Sequence, residues 1–219
     1  YGQLVETVFK IRLRSIVKCS RTAQRQRVYG YNDMNNTTGV YLNGSTVDLT
    51  DGSVGKVKLN AENEADIMAI TAGATASTVA VNAMVAVNRG SNSTEAVIGD
   101  DGKDVTINGV TSLDVSASDE TEEMTIAGGI TGAGTAAIGA GVAYSDVGGS
   151  SGDNDKAQQK TRAEINHASI TTAGETVHVG VFVNDASKLT TIAAGGGIAG
   201  NAAVQGEAAT ALINKQVNA

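Results

Sequence analysis

One arrangement of residues occurs three times along this chain of 219 residues. The copies are residues 57–74, 113–130 and 179–197. Each copy has an alternating apolar strand, a polar turn, and then an isoleucine that leads into Ala and Gly. These isoleucines are Ile70, Ile126 and Ile192, at spacings of 56 and 66 residues. Repetition of one unit predicts a stack in which each unit packs mainly against its neighbours.

The second spacing is ten residues longer than the first, and one polar segment accounts for most of the difference. This segment, residues 145–160, reads SDVGGSSGDNDKAQQK. Repeat proteins store insertions in loops on one face of the stack. We therefore expect residues 145–160 to form a surface loop.

The repeated units favour strands over helices. Residues 105–117 and 175–185 alternate apolar and polar side chains, which is the period of a half-buried strand. No apolar stripe with helical spacing follows Asp51. The chain also has no Pro, a residue that central strands exclude because it cannot donate a ladder hydrogen bond. These observations predict continuous strand ladders.

Residues 125–143, TIAGGITGAGTAAIGAGVA, carry no charge and no aromatic ring. Alternation towards Ile138 and Val142 favours a strand over a mobile linker. Small side chains let two sheet walls approach closely, so the segment predicts the narrow part of a coil. Each Gly/Ala stretch is followed by a short strand ending in Ile. These strands are residues 94–98, 161–165 and 209–213.

The pattern I-x-A-G-G, A-x-A and T-x-A-x-I over residues 46–219 resembles the repetitive passenger regions of large bacterial autotransporter and filamentous-haemagglutinin-type adhesins. The resemblance implies an all-β fold, a right-handed parallel β-helix (β-solenoid) with Gly/Ala-rich strands. It also implies a secreted protein of the outer-membrane surface, a role in cell adhesion and virulence, and a host-cell or neighbouring-cell protein or glycan as partner. It does not extend to residues 1–45, a basic segment that we interpret as a cap or a separate unit. Residues 46–219 are then the repetitive solenoid.

Charge is distributed unevenly along the chain. The net charge is -7, but the first 27 residues hold seven Lys or Arg and one Glu. The remaining body is acidic, which argues against non-specific nucleic-acid binding. The basic start is either a solvated face or a surface for an anionic partner. No apolar run is long enough for a transmembrane helix. Because the chain begins at Tyr1 and lacks a signal segment, we expect it to be a piece of a longer chain.

The sequence contains no motif that predicts catalysis, a cofactor or a metal site. His167 and His178 fit no triad or metalloprotease pattern, and we interpret His178 as a residue of an exposed strand face. The lone Cys19 cannot form a disulfide within the chain and is interpreted as a plain thiol. Acidic turns at 100–104 and 153–155 lack the alternating ligands of calcium loops. The prediction is a protein that is not an enzyme and needs no cofactor.

The functional prediction is a structural or adhesive segment, a stiff stalk that displays loops for attachment. Two alternatives stay open: a carbohydrate-active β-helix enzyme, and an extracellular filament subunit that self-associates through the solenoid ends. The repeat alignment further predicts that Ile70, Ile126 and Ile192 are buried at equivalent positions of the coil. Glu122 and Lys188, in the polar turns, are expected at the surface.

Overall fold

The computed structural model describes residues 4–20, 23–49, 55–149, 159–174 and 177–219. These residues form ten strands and one short 3-10 helix, Asp100–Gly102. The strands are β1 (Leu4–Ser20), β2 (Ala23–Leu42), β3 (Thr46–Asp48), β4 (Gly55–Ile98), β5 (Val105–Val147), β6 (Gln159–Ile165), β7 (Ala168–Thr172), β8 (His178–Ala199), β9 (Ala202–Ile213) and β10 (Lys215–Asn218).

Every strand pair is parallel, and each strand pairs with a segment one repeat further along the chain. β1 and β2 both pair with β4 at an offset of 56 residues, as in Leu4–Asn60 and Leu42–Ile98. β4 pairs with β5 at an offset of 55 at Gly55–Val110 and of 56 or 57 beyond it, and β5 pairs with β8 and β9 at 66. Parallel pairing at one chain revolution makes the fold an all-β parallel β-solenoid, as predicted.

The strand register reproduces the main alignment of the repeats. Ile70 pairs with Ile126, and Ile126 pairs with Ile192. The short strand at residues 94–98 likewise pairs with residues 161–165. The third member of that set was assigned wrongly, because residues 209–213 pair with residues 143–147 of β5. In the following coil, the strand that pairs with β6 is instead β10.

The predicted polar turn within each unit is a strand. β4 runs without interruption through Asn63–Asp66, and β5 runs through residues 118–123. The polar residues alternate between the interior and the surface, so a run of polar letters does not mark a turn here. The backbone N–H and C=O groups of this Glu/Asp-rich stretch form the hydrogen bonds of the parallel ladder with the neighbouring coils.

The basic segment at residues 1–45 continues the same ladder. Its strands β1 and β2 keep the 56-residue offset to β4 along their whole length. β3, which follows them, pairs with β5. The backbone of the segment therefore forms a coil stacked on the next one.

Two facing walls and a base make up the cross-section of each coil. The leading wall consists of residues 59–77, 113–133 and 179–199, and the trailing wall consists of residues 79–98, 136–147 and 202–213 together with β2 and β6. Side chains meet between the walls, as where Asn92 Nδ2 donates to Thr121 Oγ1 at 2.9 Å. An aliphatic core fills the base. It comprises Leu59, Ala61, Ala96, Ile98, Val105, Ile107, Val110, Leu113, Val115, Ala117 and Ala163.

The end of the coil opposite the base, the tip, lies where the leading wall turns into the trailing wall. Here small inward residues let the walls approach closely, as predicted for the Gly/Ala stretch. A Cβ at Gly129 would collide with the side-chain end of Met84 from the facing wall. The absence of a side chain at Gly129 therefore makes room for the Met84 side chain between the walls.

The extra length of the third coil lies between β5 and β6. The offset of paired residues is 57 at Gly90–Val147 and 67 at Ser93–Lys160, so ten residues are inserted between these two points. Residues 150–158 of the predicted surface loop lie outside the described residues. The loop prediction was too wide at both ends, because Ser145 and Asp146 are buried residues of β5, and Gln159 and Lys160 belong to β6.

Candidate functional site

The histidines and the cysteine that the sequence analysis considered lie in separate parts of the fold. His167 is exposed in the turn between β6 and β7, where it adopts a positive φ of 41°. His178 is exposed at the start of β8, with Nε2 3.6 Å from Asp114 Oδ1, in agreement with its interpretation as an exposed strand residue. The backbone of Cys19 lies in β1, opposite Thr75 of β4.

A charged cluster on the trailing wall links three coils. Arg162 of β6 donates to Glu95 Oε2 through Nη2 at 2.6 Å and contacts Asp100 Oδ1 at 3.1 Å. Tyr41 of the first coil donates to Glu95 Oε2 at 3.0 Å, and Lys160 Nζ lies 3.1 Å from Oε1. We call these five residues the Glu95 cluster.

Ionisation within the Glu95 cluster is set by its hydrogen bonds. Burial alone would raise the pKa of Glu95, but the bonds from Arg162, Lys160 and Tyr41 outweigh it and lower that pKa to about 2. Burial and the bond to Glu95 raise the pKa of Tyr41 to about 12. The carboxylate of Glu95 is therefore held charged and fully engaged. This arrangement suits it to joining coils, and does not suit it to donating a proton.

A second polar group lies between the walls. Asn63, Asp119 and Asp185 stack in register along the leading wall. Asp119 accepts hydrogen bonds from Asn63 Nδ2 at 2.7 Å, Thr121 Oγ1 at 2.8 Å, Thr94 Oγ1 at 3.0 Å and Gln159 Nε2 at 3.0 Å. Burial nevertheless raises the pKa of Asp119, and the charge of Asp185 adds to this effect.

Asp185 continues this interior ladder in the fourth coil. Thr161 Oγ1 donates to its Oδ2 at 2.8 Å, and Lys215 forms an ion pair with its Oδ1. Several of these donors belong to the facing wall. The two aspartates therefore have a structural role, because their hydrogen bonds join the two walls. Sequence analysis missed them because their alternation with Thr and Glu resembles a solvated turn.

Glu123 is the buried carboxyl group that the fold satisfies least. It takes an interior position between Ile67 of the preceding coil and Leu189 of the following coil. Its side chain is fully buried, and neither carboxyl oxygen has a hydrogen-bond partner within the described chain. Burial, followed by the charge of Asp146, raises the pKa of Glu123 to about 8, and the nearby backbone of Asp146 opposes this only in part.

The three repeat isoleucines lie on the outer face of the leading wall. Ile70 and Ile126 are half-buried and Ile192 is 44% exposed, so the prediction that all three are buried was wrong. The interior positions belong to the alternate residues, such as Ile67 and Ala69. Ile70 and Ile126, with Ile130 and neighbouring glycines, line an open apolar groove of about 570 Å³.

Two further sets of residues are the acidic turns and the N-glycan acceptor patterns Asn-x-Ser/Thr, which occur at Asn35, Asn36, Asn43 and Asn92. Asp100 is engaged by Arg162, and residues 153–155 lie outside the described residues. Asn92, within one acceptor pattern, is buried and donates to Thr121. In the described part of the chain, no group of three or more His, Cys, Asp or Glu side chains could hold a metal ion.

Comparison with family models, with curated proteins and with solved structures finds no match to this chain. Among the residues that the structure describes, no helix is both long and apolar enough to cross a membrane.

Proposed function

We propose that the chain is a structural and adhesive segment of an extracellular bacterial surface protein, a stiff stalk that displays loops for attachment. The observation that carries the proposal is the parallel register that β1 to β9 keep between neighbouring coils, with only single-residue shifts, as between Ser77 and Val79. Each coil fixes the position of the next through a continuous ladder of backbone hydrogen bonds. A chain built this way holds its ends apart at a defined distance.

Side-chain contacts between coils support the same role. The Glu95 cluster joins residues of the first, second and third coils. Asp119 binds Asn63 from the preceding coil, and its partner Gln159 also reaches towards Asp185 of the next at 3.4 Å. These contacts are interior or partly buried, where ion pairs and hydrogen bonds are screened less by solvent. They resist sliding of one coil over another.

The inserted segment between β5 and β6 supports the display role. It adds ten residues to one coil while the flanking strands keep their pairing with the coil before. Exposed loops held on a rigid scaffold are common sites of recognition. A host-cell or neighbouring-cell protein or glycan is the partner class that we propose for it.

Antibodies raised against the purified chain test the surface location. Labelling of intact cells of the source bacterium supports the proposal, and labelling only after permeabilisation contradicts it. Beads coated with the chain test adhesion, with beads carrying a variant that lacks residues 150–157 as the matched control. We expect the coated beads to attach to host or neighbouring cells, and the loop deletion to reduce that attachment while the fold persists. Equal attachment by both bead types would remove the loop from the proposal.

A further inference from the structure

We propose that the outer face of the trailing wall docks on an anionic lipid surface. This inference goes beyond the stalk function and does not require it. The face, which we call the docking face, combines uncovered aliphatic ladders with a basic and aromatic margin. Its residues are Arg25, Arg27, Tyr29 and Tyr31 of β2, Val79, Val81, Val85 and Val87 of β4, Ile138 and Val142 of β5, and Val204 of β9.

On the docking face, apolar side chains of the alternating strands point outward, to the surface. Val81, Ile138 and Val204 form one outward ladder, and Ile138 is 50% and Val204 63% exposed. The alternate residues of these strands point inward, and the buried ones include the polar Asn82 and the small Ala137 beside the larger Met84. Strands that contact lipid place apolar side chains outward and polar side chains inward. A strand wall of this kind exposes an apolar surface that water does not favour.

Charge is absent from the centre of this surface. Residues 68–87 and 124–144 contain no Asp, Glu, Lys or Arg. The equivalent residues 190–210 contain only Glu207, which pairs with the buried, inward-facing Gly141 and is itself exposed in the last coil. Contact with the hydrocarbon of a bilayer is costly for charged side chains, and the docking face offers none there.

The margin of the face lies in the first coil. Arg25 pairs with Val81, and Tyr29 pairs with Val85, so the same outward positions change from aliphatic to basic and aromatic. Tyr29 is 68% and Tyr31 53% exposed, and both Arg25 and Arg27 are exposed. Tyr is enriched where a membrane meets water, and Lys or Arg near the surface are attracted to anionic head groups.

The distribution of acids favours lipid over a second copy of the chain. Asp33, at the border of the face, already accepts a hydrogen bond from Tyr31 at 2.9 Å. The exposed acids Glu62, Glu64 and Glu120 lie on the leading wall. Two docking faces packed against each other would therefore bring to Arg25 and Arg27 no exposed carboxylate other than Asp33, which Tyr31 already engages. An anionic bilayer would neutralise them while the leading wall faces away from it.

Flotation with lipid vesicles tests the proposal. The probes are phosphatidylcholine vesicles and vesicles of phosphatidylcholine mixed with phosphatidylglycerol. We expect the chain to float with the mixed vesicles far more than with the neutral ones. Arg25→Gln with Arg27→Gln should weaken binding by roughly tenfold to thirtyfold, given the attraction of each arginine to the head groups. Ile138→Ser with Val142→Ser should also reduce flotation. Glu62→Gln with Glu64→Gln, on the opposite wall, is the matched control that should not reduce it.

A fluorescent reporter identifies which face touches the lipid. The chain has no Trp, so one introduced residue reports alone. Tyr29→Trp places it on the docking face, and Phe182→Trp places it on the outer face of the leading wall, where Phe182 is exposed. We expect a blue shift with mixed vesicles for Tyr29→Trp only.

Three results would overturn the proposal. One is a failure of the folded wild-type chain to float with the mixed vesicles. Another is an equal blue shift from both reporters. The third is self-association without vesicles, measured by light scattering, that Ile138→Ser abolishes, because a second copy would then cover the face. The folding of every variant is checked by circular dichroism and thermal unfolding, so that lost binding cannot be mistaken for lost structure.

Discussion

Among the residues that the structure describes, Glu123 is a buried carboxyl group with both oxygens unpaired, and its ionisation opposes the fold at neutral pH. It interrupts an interior ladder whose neighbours are Ile67 and Leu189. Its pKa is raised from 4.5 to about 8, so the unfolded chain loses this proton first as pH rises. The contribution of protonated Glu123 to the free energy of unfolding is therefore fully present below about pH 4.5. It is lost as pH rises from 4.5 to about 8.

We expect the free energy of unfolding to fall by up to roughly 1.4 kcal/mol per pH unit across this window because of Glu123. Glu123→Gln should remove that part of the slope, a difference on the order of 3 kcal/mol at neutral pH. Urea unfolding at several pH values measures it. Glu122→Gln, an exposed neighbour on the outer face, is the control that should keep the wild-type slope. A slope unchanged by Glu123→Gln would mean that the carboxyl group is solvated.

Isoleucines on the two faces of the leading wall should respond differently to truncation. Ile67 is fully buried, whereas Ile192 is 44% exposed. We expect Ile67→Ala to cost about 2–5 kcal/mol, because it leaves a cavity in the interior. Ile192→Ala should cost less than about 1 kcal/mol. Denaturant midpoints give both values, and equal losses would contradict the assignment of faces.

The sequence predicted which isoleucines stack, but not which way they point. The repeat alone determines that Ile70, Ile126 and Ile192 share a register, and the structure has this register. The facing direction depends on which half of a period-two pattern is buried. Both halves carry aliphatic residues here, as Ile67 and Ile70 illustrate, so the pattern did not distinguish the interior from the surface. Interior Asp119 and Glu123 were missed for the same reason.

At the scale of elements, the fold depends on how the strands turn at the corners. Gly148 follows β5 with a φ of 86°, and its N–H donates to Gly90 O at 2.7 Å. A Cβ there would collide with the carbonyl oxygen of Asn214 from the next coil. The corner thus restricts position 148 to glycine.

Deletion of residues 150–157 should leave the coil intact. Loop length adds little to the free energy of closing a loop, so we expect the melting temperature to change by only a few degrees. Gly148→Ala, at the edge of the same insertion, should be more damaging, by at least about 1 kcal/mol, because it strains a positive φ. Thermal unfolding of the two variants compares them. Greater damage from the deletion than from Gly148→Ala would show that the insertion is part of the packed structure.

Strand content could be predicted from the sequence better than strand length. Alternation and the absence of Pro indicated a ladder, and the ladder is present. The polar stretches in β4 and β5 were assigned to turns because exposed Glu64 and Glu120 suggested a solvated loop. Only pairing with the coils on either side, a long-range property, shows that these residues continue the strand.

At the scale of the whole molecule, the account depends on one property: neighbouring coils lie in parallel register. Stability is then distributed over contacts between adjacent coils. The charge distribution follows the same geometry, with the basic first coil at one end of a mainly acidic body. The proposed stalk role and the proposed docking face both depend on this one ladder.

Disulfide trapping between coils tests this register most directly. Ile126 and Ile192 are paired neighbours in parallel strands, at the spacing of about 4.8 Å that a disulfide can bridge. In a Cys19→Ser background, Ile126→Cys with Ile192→Cys should cross-link rapidly under mild oxidation, as read by mass spectrometry. Ile126→Cys with Thr190→Cys is the control, since Thr190 pairs with Met124 and lies one same-face position away. Preferential cross-linking of the 126–192 pair is the predicted result. Equal or preferential cross-linking of the 126–190 pair would contradict the register and the solenoid built on it.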